Sequence, residues 1–184
     1  MPRDGTSGAK YIYVMRDGRD VVTSFYHHLR NQVGSGGFEG SFEDFFNGFM
    51  GGSIPYGRWV DHVKSWLLRS GPSKDSVLVV HYDDLLGHLE SELVRINAFL
   101  GLEALSRDDL VKCADAVSFG TMKRNHERFQ PVSVAWRPGF NFLRRGVSGD
   151  HSALLNAGQL KRYRVQLQDE FPSDILSFKR SYLE

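Results

Sequence analysis

The apolar positions near the start of the chain change their period after residue 15. Residues 11–15, YIYVM, form an unbroken apolar run, which is typical of a strand in a parallel sheet that is covered on both faces. A polar turn follows, and apolar residues then recur at helical spacing, at Val21, Val22, Phe25, Leu29 and Val33. The pattern predicts a strand that leads directly into a helix, with Asp17 and Asp20 as alternative N-caps.

The rest of the chain is mostly helical in pattern. Further helices are predicted to begin at Ser41, Pro55, Asp83, Ser106 and Asn156. The helix from Asp83 is long and ends at a C-cap glycine, Gly101. A second buried strand is predicted over 76–82, SVLVVHY, whereas residues 118–150 have little periodicity and are predicted to be mostly irregular.

These elements predict an α/β fold with a parallel sheet flanked by helices. At 184 residues the chain is long enough for one domain, which we assign to residues 1–184. Two buried strands are few beside five or six helices, because each strand needs partners for its backbone groups. The missing strands are therefore expected to lie outside this sequence.

Composition excludes several classes of function. The formal net charge is only +1, and no dense basic run is present, so a nucleic-acid polymer is not a predicted partner. Cys113 is the only cysteine, which excludes an intrachain disulfide and favours a reducing, cytoplasmic location. No apolar run reaches membrane-spanning length, so no membrane association is predicted. Histidines and acidic residues show no metal-ligand spacing, so no metal site is predicted.

The charge is uneven along the chain, and two segments are candidate anion sites. Residues 123–184 contain 11 basic and 6 acidic side chains, against 12 and 16 in residues 1–122. In a strand-turn-helix unit, anions bind where the strand ends and the helix begins, so Arg16 and Ser24 are candidates to hold one phosphate. The alternative is that Arg16 pairs with Asp20 and Ser24 only occupies a helix position.

The second candidate anion site is the segment 142–150, FLRRGVSGD. Arginine suits phosphate because its planar fork makes paired, charge-assisted hydrogen bonds. Gly146 follows the two arginines and permits close approach of the backbone to a ligand. The alternative is a solvated basic turn.

Four motifs in this order resemble the cytosolic-type sulfotransferase family. They are the strand leading to Arg16 and Ser24, then SVLVVHYDDL, VSFGTMKRN and FLRRGVSGD. The resemblance extends from about residue 11 to the C-terminal helix. It implies a P-loop-like fold and transfer of a sulfuryl group from 3′-phosphoadenosine 5′-phosphosulfate to a hydroxyl or amine of a small-molecule acceptor.

The resemblance also implies the residues that bind the donor. Arg16 and Ser24 match ligands of its 3′-phosphate, and a second clamp on that phosphate matches Arg144, Arg145 and Gly146. Phe142 and Leu143 fit the pattern of the clamp, or serve only in packing. Tyr82 matches a residue that contacts the adenine portion, and the adenine-side segment matches Val117, Ser118, Phe119, Gly120, Thr121 and Met122.

The chain departs from the family pattern at three of these positions. Arg145 stands where lysine is frequent, which keeps the charge. Val117 replaces a common threonine and removes a hydroxyl that could bond to adenine. His151 replaces the tryptophan that commonly follows the Gly-Asp pair.

Two catalytic elements of the family have no counterpart in this sequence. One is a lysine-bearing phosphate loop, and the other is a histidine that removes the acceptor's proton; both would precede Met1. None of the seven histidines lies at the matching place, so no catalytic residue is assigned. The expectation is an N-terminally truncated sulfotransferase domain, whose activity on its own stays open.

Three alternatives remain at this stage. The chain is a catalytically inactive nucleotide-binding remnant, or an interaction module built on the aromatic faces of 42–49 and 59–66. A nucleoside kinase would need a Gly-Lys-Ser/Thr loop, which this sequence lacks. The family's dimer segment matches 131–135 poorly, so a homodimer is not supported.

Overall fold

The computed structural model describes residues 8–34, 36–68 and 76–171. The strands are β1 (Tyr11–Met15), β2 (Gln32–Val33), β3 (Val77–His81) and β4 (Ala135–Trp136). The helices are α1 (Gly18–Asn31), α2 (Phe42–Gly51), α3 (Trp59–Leu67), α4 (Tyr82–Gly87), α5 (Leu89–Leu100), α6 (Arg107–Ala116), α7 (Phe119–Arg124) and α8 (Ala157–Glu170). Short 3₁₀ helices cover His126–Arg128 and Asp150–Ala153.

The contacts divide the chain into two compact units. The first unit comprises Met1–Arg16 and Ser70–Val147, and the second comprises Asp17–Arg69 and Ser148–Glu184. The predicted strand and the helix behind it therefore belong to different units, which meet in the chain between residues 16 and 17.

The first unit contains a parallel pair of strands. β1 and β3 pair from Tyr11 opposite Val77 to Met15 opposite His81, so both strand predictions are confirmed. Alternate side chains of β1 point to opposite faces, and Met15 on one face is fully buried. On the other face, Ile12 is 40% exposed and Val14 is 48% exposed, so the expectation of two covered faces is wrong within the described residues.

Three helix boundaries differ from the sequence prediction. The long helix from Asp83 is two helices, α4 and α5, interrupted at His88 with φ −138° and ψ 39°, directly after the poor helix former Gly87. α3 begins at Trp59 rather than at Pro55, because Tyr56 has a φ of 72° that no helix accommodates. Its predicted end at 71–72 lies outside the described residues.

The region predicted to be mostly irregular contains helix α7. The Oγ of Ser118 accepts a hydrogen bond from the backbone N–H of Thr121, and this cap starts the helix. The short element has little room for an apolar period, which is why the pattern alone did not reveal it.

The second unit is built around aromatic side chains. The capping boxes predicted at Ser41 and Asn156 start α2 and α8 as expected, each with the reciprocal bond from the third helical residue. Phe45 is fully buried and meets Phe25 edge to face at a centroid distance of 5.6 Å. The buried aliphatic and aromatic residues include Phe46, Phe49, Trp59, Val60, Val63, Tyr163 and Leu167. Since these faces are interior, the interaction module loses the surface on which it depended.

None of the helices in the described ranges is both long and apolar enough to cross a membrane.

His28 on α1 makes the stability of the chain depend on pH. Burial lowers the pKa of His28 below its ordinary value of 6.5, because a half-buried imidazolium loses hydration. Above that value the residue is neutral in both the folded and unfolded chains. As the pH falls through 6.5, the unfolded chain takes up the proton first, so the free energy of unfolding is expected to decrease until the folded pKa is passed.

Denaturant titrations between pH 5 and 8 measure this effect. His28→Gln is expected to flatten the pH dependence over this interval, whereas His62→Gln, the same change at an exposed position of α3, is expected to preserve it. Equal slopes for the unsubstituted chain and the His28→Gln variant would contradict the assignment.

Candidate functional site

Two predicted site residues of the first unit meet at the carboxyl end of the parallel strands. Arg16 follows β1 and Tyr82 follows β3, and the register places them side by side. The Cζ atom of Arg16 lies 4.3 Å from the centroid of the Tyr82 ring, which is stacking distance. Arg16 Nη2 also donates to the carbonyl oxygen of Val147 at 3.0 Å. The guanidinium is therefore held in a defined plane at this edge of the sheet.

The adenine-side segment and the second clamp also meet within the first unit. Gly146 has a φ of +62°, and a Cβ atom built there would overlap the ring of Phe119. The absence of a side chain thus lets the Phe119 ring lie directly against the clamp backbone. The structure brings these two predicted residues together although 26 positions separate them in the sequence.

Lys123 joins the same cluster, and sequence reasoning missed it. Its Nζ donates to the carbonyl oxygen of Arg144 at 3.1 Å and lies 5.7 Å from the centroid of the Phe119 ring. Lys123 is four residues after Phe119, so a helix places the two side chains on one face. That signal was available only if α7 had been recognised as a helix.

The other predicted residues of the first unit occupy peripheral positions around this cluster. Val117 is 43% exposed at the end of α6, and Gly120 and Met122 lie within α7. The ring of Phe142 lies 6.0 Å from that of Trp136, and Leu143 N donates to Asn141 Oδ1 at 3.0 Å, so both take part in local packing. Arg144 is partly buried, and Arg145 is exposed.

Ser24 lies in the second unit, on the second turn of α1. Of the two proposed N-caps, Asp17 has this role: its Oδ1 accepts from Arg19 N at 2.8 Å. Arg19 Nη2 donates to Asp17 Oδ2 at 2.6 Å. Burial alone would lower the pKa of Arg19, but the hydrogen bond and charge of Asp17 raise it overall.

Two backbone N–H groups at the start of α1 therefore already have partners. Arg19 N is held by the cap, and Gly18 N donates to the Tyr163 hydroxyl at 3.1 Å. The helix terminus is less available to an anion than the sequence suggested, so the phosphate hypothesis rests on side chains rather than on the first turn of α1.

Asp20 is not a cap but the anchor of a distant segment. Its side chain is buried, at 2% exposure. Asp20 Oδ2 accepts from Gly149 N at 2.9 Å, and Oδ1 accepts from His151 N at 3.0 Å and from His151 Nδ1 at 2.8 Å. The carboxylate thus fixes residues 149–151 against the first turn of α1.

Across 8–34, 36–68 and 76–171, no three His, Cys, Asp or Glu side chains are grouped to hold a metal ion.

Comparison with known protein families identifies the chain. The family model described as Sulfotransferase domain matches residues 5–171, which is most of the sequence. The chain belongs to the sulfotransferase family. Human sulfotransferase 2B1 is 34% identical over 179 residues, covering 92% of this chain and 48% of the human protein. Sulfotransferase 1E1 from Cavia porcellus is 31% identical over 166 residues, covering 86% of this chain and 55% of that protein.

Solved sulfotransferase-family structures confirm the α/β fold class. Mouse sulfotransferase SULT7A1 in complex with PAP aligns with a TM-score of 0.76 and 28% identity, covering 91% of this chain and 60% of the mouse chain. Retinol dehydratase in complex with androsterone and the inactive cofactor PAP also aligns with a TM-score of 0.76, at 26% identity, covering 92% of this chain and 49% of the other. This sulfotransferase-family chain spans about half the length of the curated relatives it matches.

Proposed function

We propose that this chain binds the 3′-phosphate and adenine portion of 3′-phosphoadenosine 5′-phosphosulfate, the donor in sulfuryl transfer to a hydroxyl or amine of a small-molecule acceptor. The observation on which the proposal rests is the cluster at the end of β1 and β3, where Arg16 stacks on Tyr82 and reaches Val147. The family membership of the chain and the PAP bound to two structural neighbours support the same donor.

The arrangement of Arg16 suits phosphate recognition. A guanidinium binds phosphate through a planar fork, and the fork is effective when its plane is already set. Stacking on Tyr82 and the bond to Val147 set that plane before a ligand arrives, which reduces the entropy lost on binding. Ser24 is proposed as a second ligand of this phosphate, and Arg144, Arg145 and Gly146 as its clamp.

Phe119 is proposed as the wall against which the adenine packs. A flat aromatic ring supplies a stacking surface for a base, worth roughly 1–3 kcal/mol in nucleotide-binding proteins. The ring is fixed on one side by Gly146 and approached by the ammonium of Lys123. Val117 has no hydroxyl, so it adds no side-chain hydrogen bond to the base.

The reaction itself needs groups that we do not assign to this chain. The acceptor oxygen or nitrogen attacks sulfur, the bond from sulfur to the bridging phosphate oxygen breaks, and the acceptor proton passes to a base. None of the seven histidines matches the position of the base in the family. The chain is therefore proposed to hold the nucleotide while transferring sulfate negligibly by itself.

Incubation with donor labelled in the sulfuryl group tests both parts of the proposal. The purified 184-residue chain is expected to retain labelled donor, to release it when excess unlabelled PAP is added, and to transfer almost no label to phenol, alcohol or amine acceptors. Sustained transfer would contradict the absence of a base, and no retained donor would contradict the site.

A further inference from the structure

Asp20 and His151 form a buried carboxylate–imidazole couple in the second unit. The side chain of His151 is 16% exposed, and its Nδ1 lies 2.8 Å from Asp20 Oδ1. A carboxylate only accepts hydrogen bonds, so Nδ1 is the donor and the second ring nitrogen, Nε2, is directed away from the couple. Gly149, at a φ of +77°, lets the chain turn so that its own N–H also reaches Asp20.

The couple links two segments that the proposed function uses. Asp20 lies one helical turn before Ser24 on α1, so the two residues share a face of the helix. Gly149 is four residues after Arg145 in the chain, so the anchored segment follows the proposed clamp immediately. His151 also stands where the family pattern commonly has tryptophan, which makes the imidazole donor a feature of this chain.

We propose that Asp20 and His151 are positioning residues for the clamp on the 3′-phosphate. The carboxylate takes two backbone bonds and one imidazole bond from residues 149–151, which removes conformational freedom from the chain directly behind Arg144, Arg145 and Gly146. A clamp with fewer conformations loses less entropy when it closes on the phosphate. This role rests on the proposed function.

Replacement of His151 separates positioning from simple structural support. His151→Leu removes the imidazole donor, whereas His151→Asn keeps an N–H donor at the branch of the side chain. Calorimetry with PAP and with 5′-AMP, which lacks the 3′-phosphate, is expected to show roughly fivefold weaker PAP binding for His151→Leu, the factor that one net hydrogen bond represents. The affinity for 5′-AMP is expected to stay unchanged, and His151→Asn is expected to restore PAP binding.

A matched control and a second measurement complete the test. His62→Leu makes the same chemical change at an exposed position of the same unit and is expected to leave both affinities unchanged. In the unsubstituted chain, PAP is expected to slow hydrogen exchange at the amides of Gly149 and His151 more than 5′-AMP does. This measurement decides the matter even where His151→Leu does not fold.

The outcomes distinguish the couple from the site. Equal losses of PAP and 5′-AMP affinity in His151→Leu, retained PAP affinity, or equal exchange protection by the two nucleotides would each overturn the positioning role alone. If the unsubstituted chain does not prefer PAP to 5′-AMP, the proposed function and the positioning role are both overturned.

Discussion

Replacing Gly146 by alanine is expected to abolish most of the PAP affinity of this chain. The residue has a φ of +62°, a conformation that costs roughly 1–2 kcal/mol for a residue with a Cβ atom. In addition, the new methyl group would overlap the ring of Phe119, so either the ring or the clamp backbone must move. Both are proposed ligand contacts, and their displacement adds to the cost of the strained backbone.

Gly139 offers a matched control for this substitution. Its φ of +80° imposes the same kind of backbone strain, but a Cβ atom there would meet nothing within 4 Å. Gly139→Ala is therefore expected to lower the free energy of unfolding while leaving PAP affinity close to that of the unsubstituted chain. Calorimetric titration of both variants decides the matter: equal PAP affinities for the two would show that contact between Phe119 and Gly146 has no part in the site.

Replacing Arg16 by alanine is expected to weaken PAP binding by about ten- to a hundredfold. The estimate follows from the roughly 1.5–3 kcal/mol that a hydrogen bond to a charged group contributes. Arg16→Lys is expected to recover only part of the loss, because lysine keeps the charge but cannot present a planar fork stacked on Tyr82. Since the contribution is to the phosphate, affinity for adenosine is expected to change little.

Arg107 is the control for the loss of one positive charge in the first unit. It is 72% exposed on α6 and pairs with Glu90 at 2.5 Å. Arg107→Ala is expected to leave PAP binding unchanged at physiological salt, because exposed charges are screened over about 8 Å. If Arg107→Ala weakened binding as much as Arg16→Ala, the effect of Arg16 would be one of general electrostatics rather than of a specific contact.

The parts of the fold that the sequence predicted well have local causes. The strand over residues 11–15 follows from an apolar run, and the starts of α2 and α8 follow from reciprocal capping residues. Gly101 ends α5 in the left-handed conformation, as its position after the last apolar residue indicated. Each of these features depends on a few neighbouring residues, so the pattern contains the necessary information.

The features that the sequence did not predict depend on distant contacts. Asp20 had the appearance of a helix cap, but its partners are Gly149 and His151, about 130 residues away. Lys123 gave no sign of its contact with Arg144, because α7 is too short to show a period. The break at His88 was hidden because apolar residues continue at helical spacing through both α4 and α5.

The candidate site was predicted from ordered motifs rather than from periodicity. The sequence placed Arg16, Tyr82, Phe119 and Gly146 in one site through family resemblance, without any contact between them. The structure supplies the contacts within the first unit: Arg16 with Tyr82, and Phe119 with Gly146. Their role as donor ligands remains a prediction, which binding measurements decide.

Calorimetric titration of the purified chain with PAP, compared with 5′-AMP under identical conditions, tests the central claim most directly. The two nucleotides share adenine, ribose and the 5′-phosphate, so a difference in Kd reports recognition of the 3′-phosphate alone. We expect PAP to bind at least about tenfold more tightly, since one charge-assisted hydrogen bond already supplies that factor. Equal affinities, or no detectable heat with PAP at millimolar concentration, would contradict a donor 3′-phosphate site in this chain.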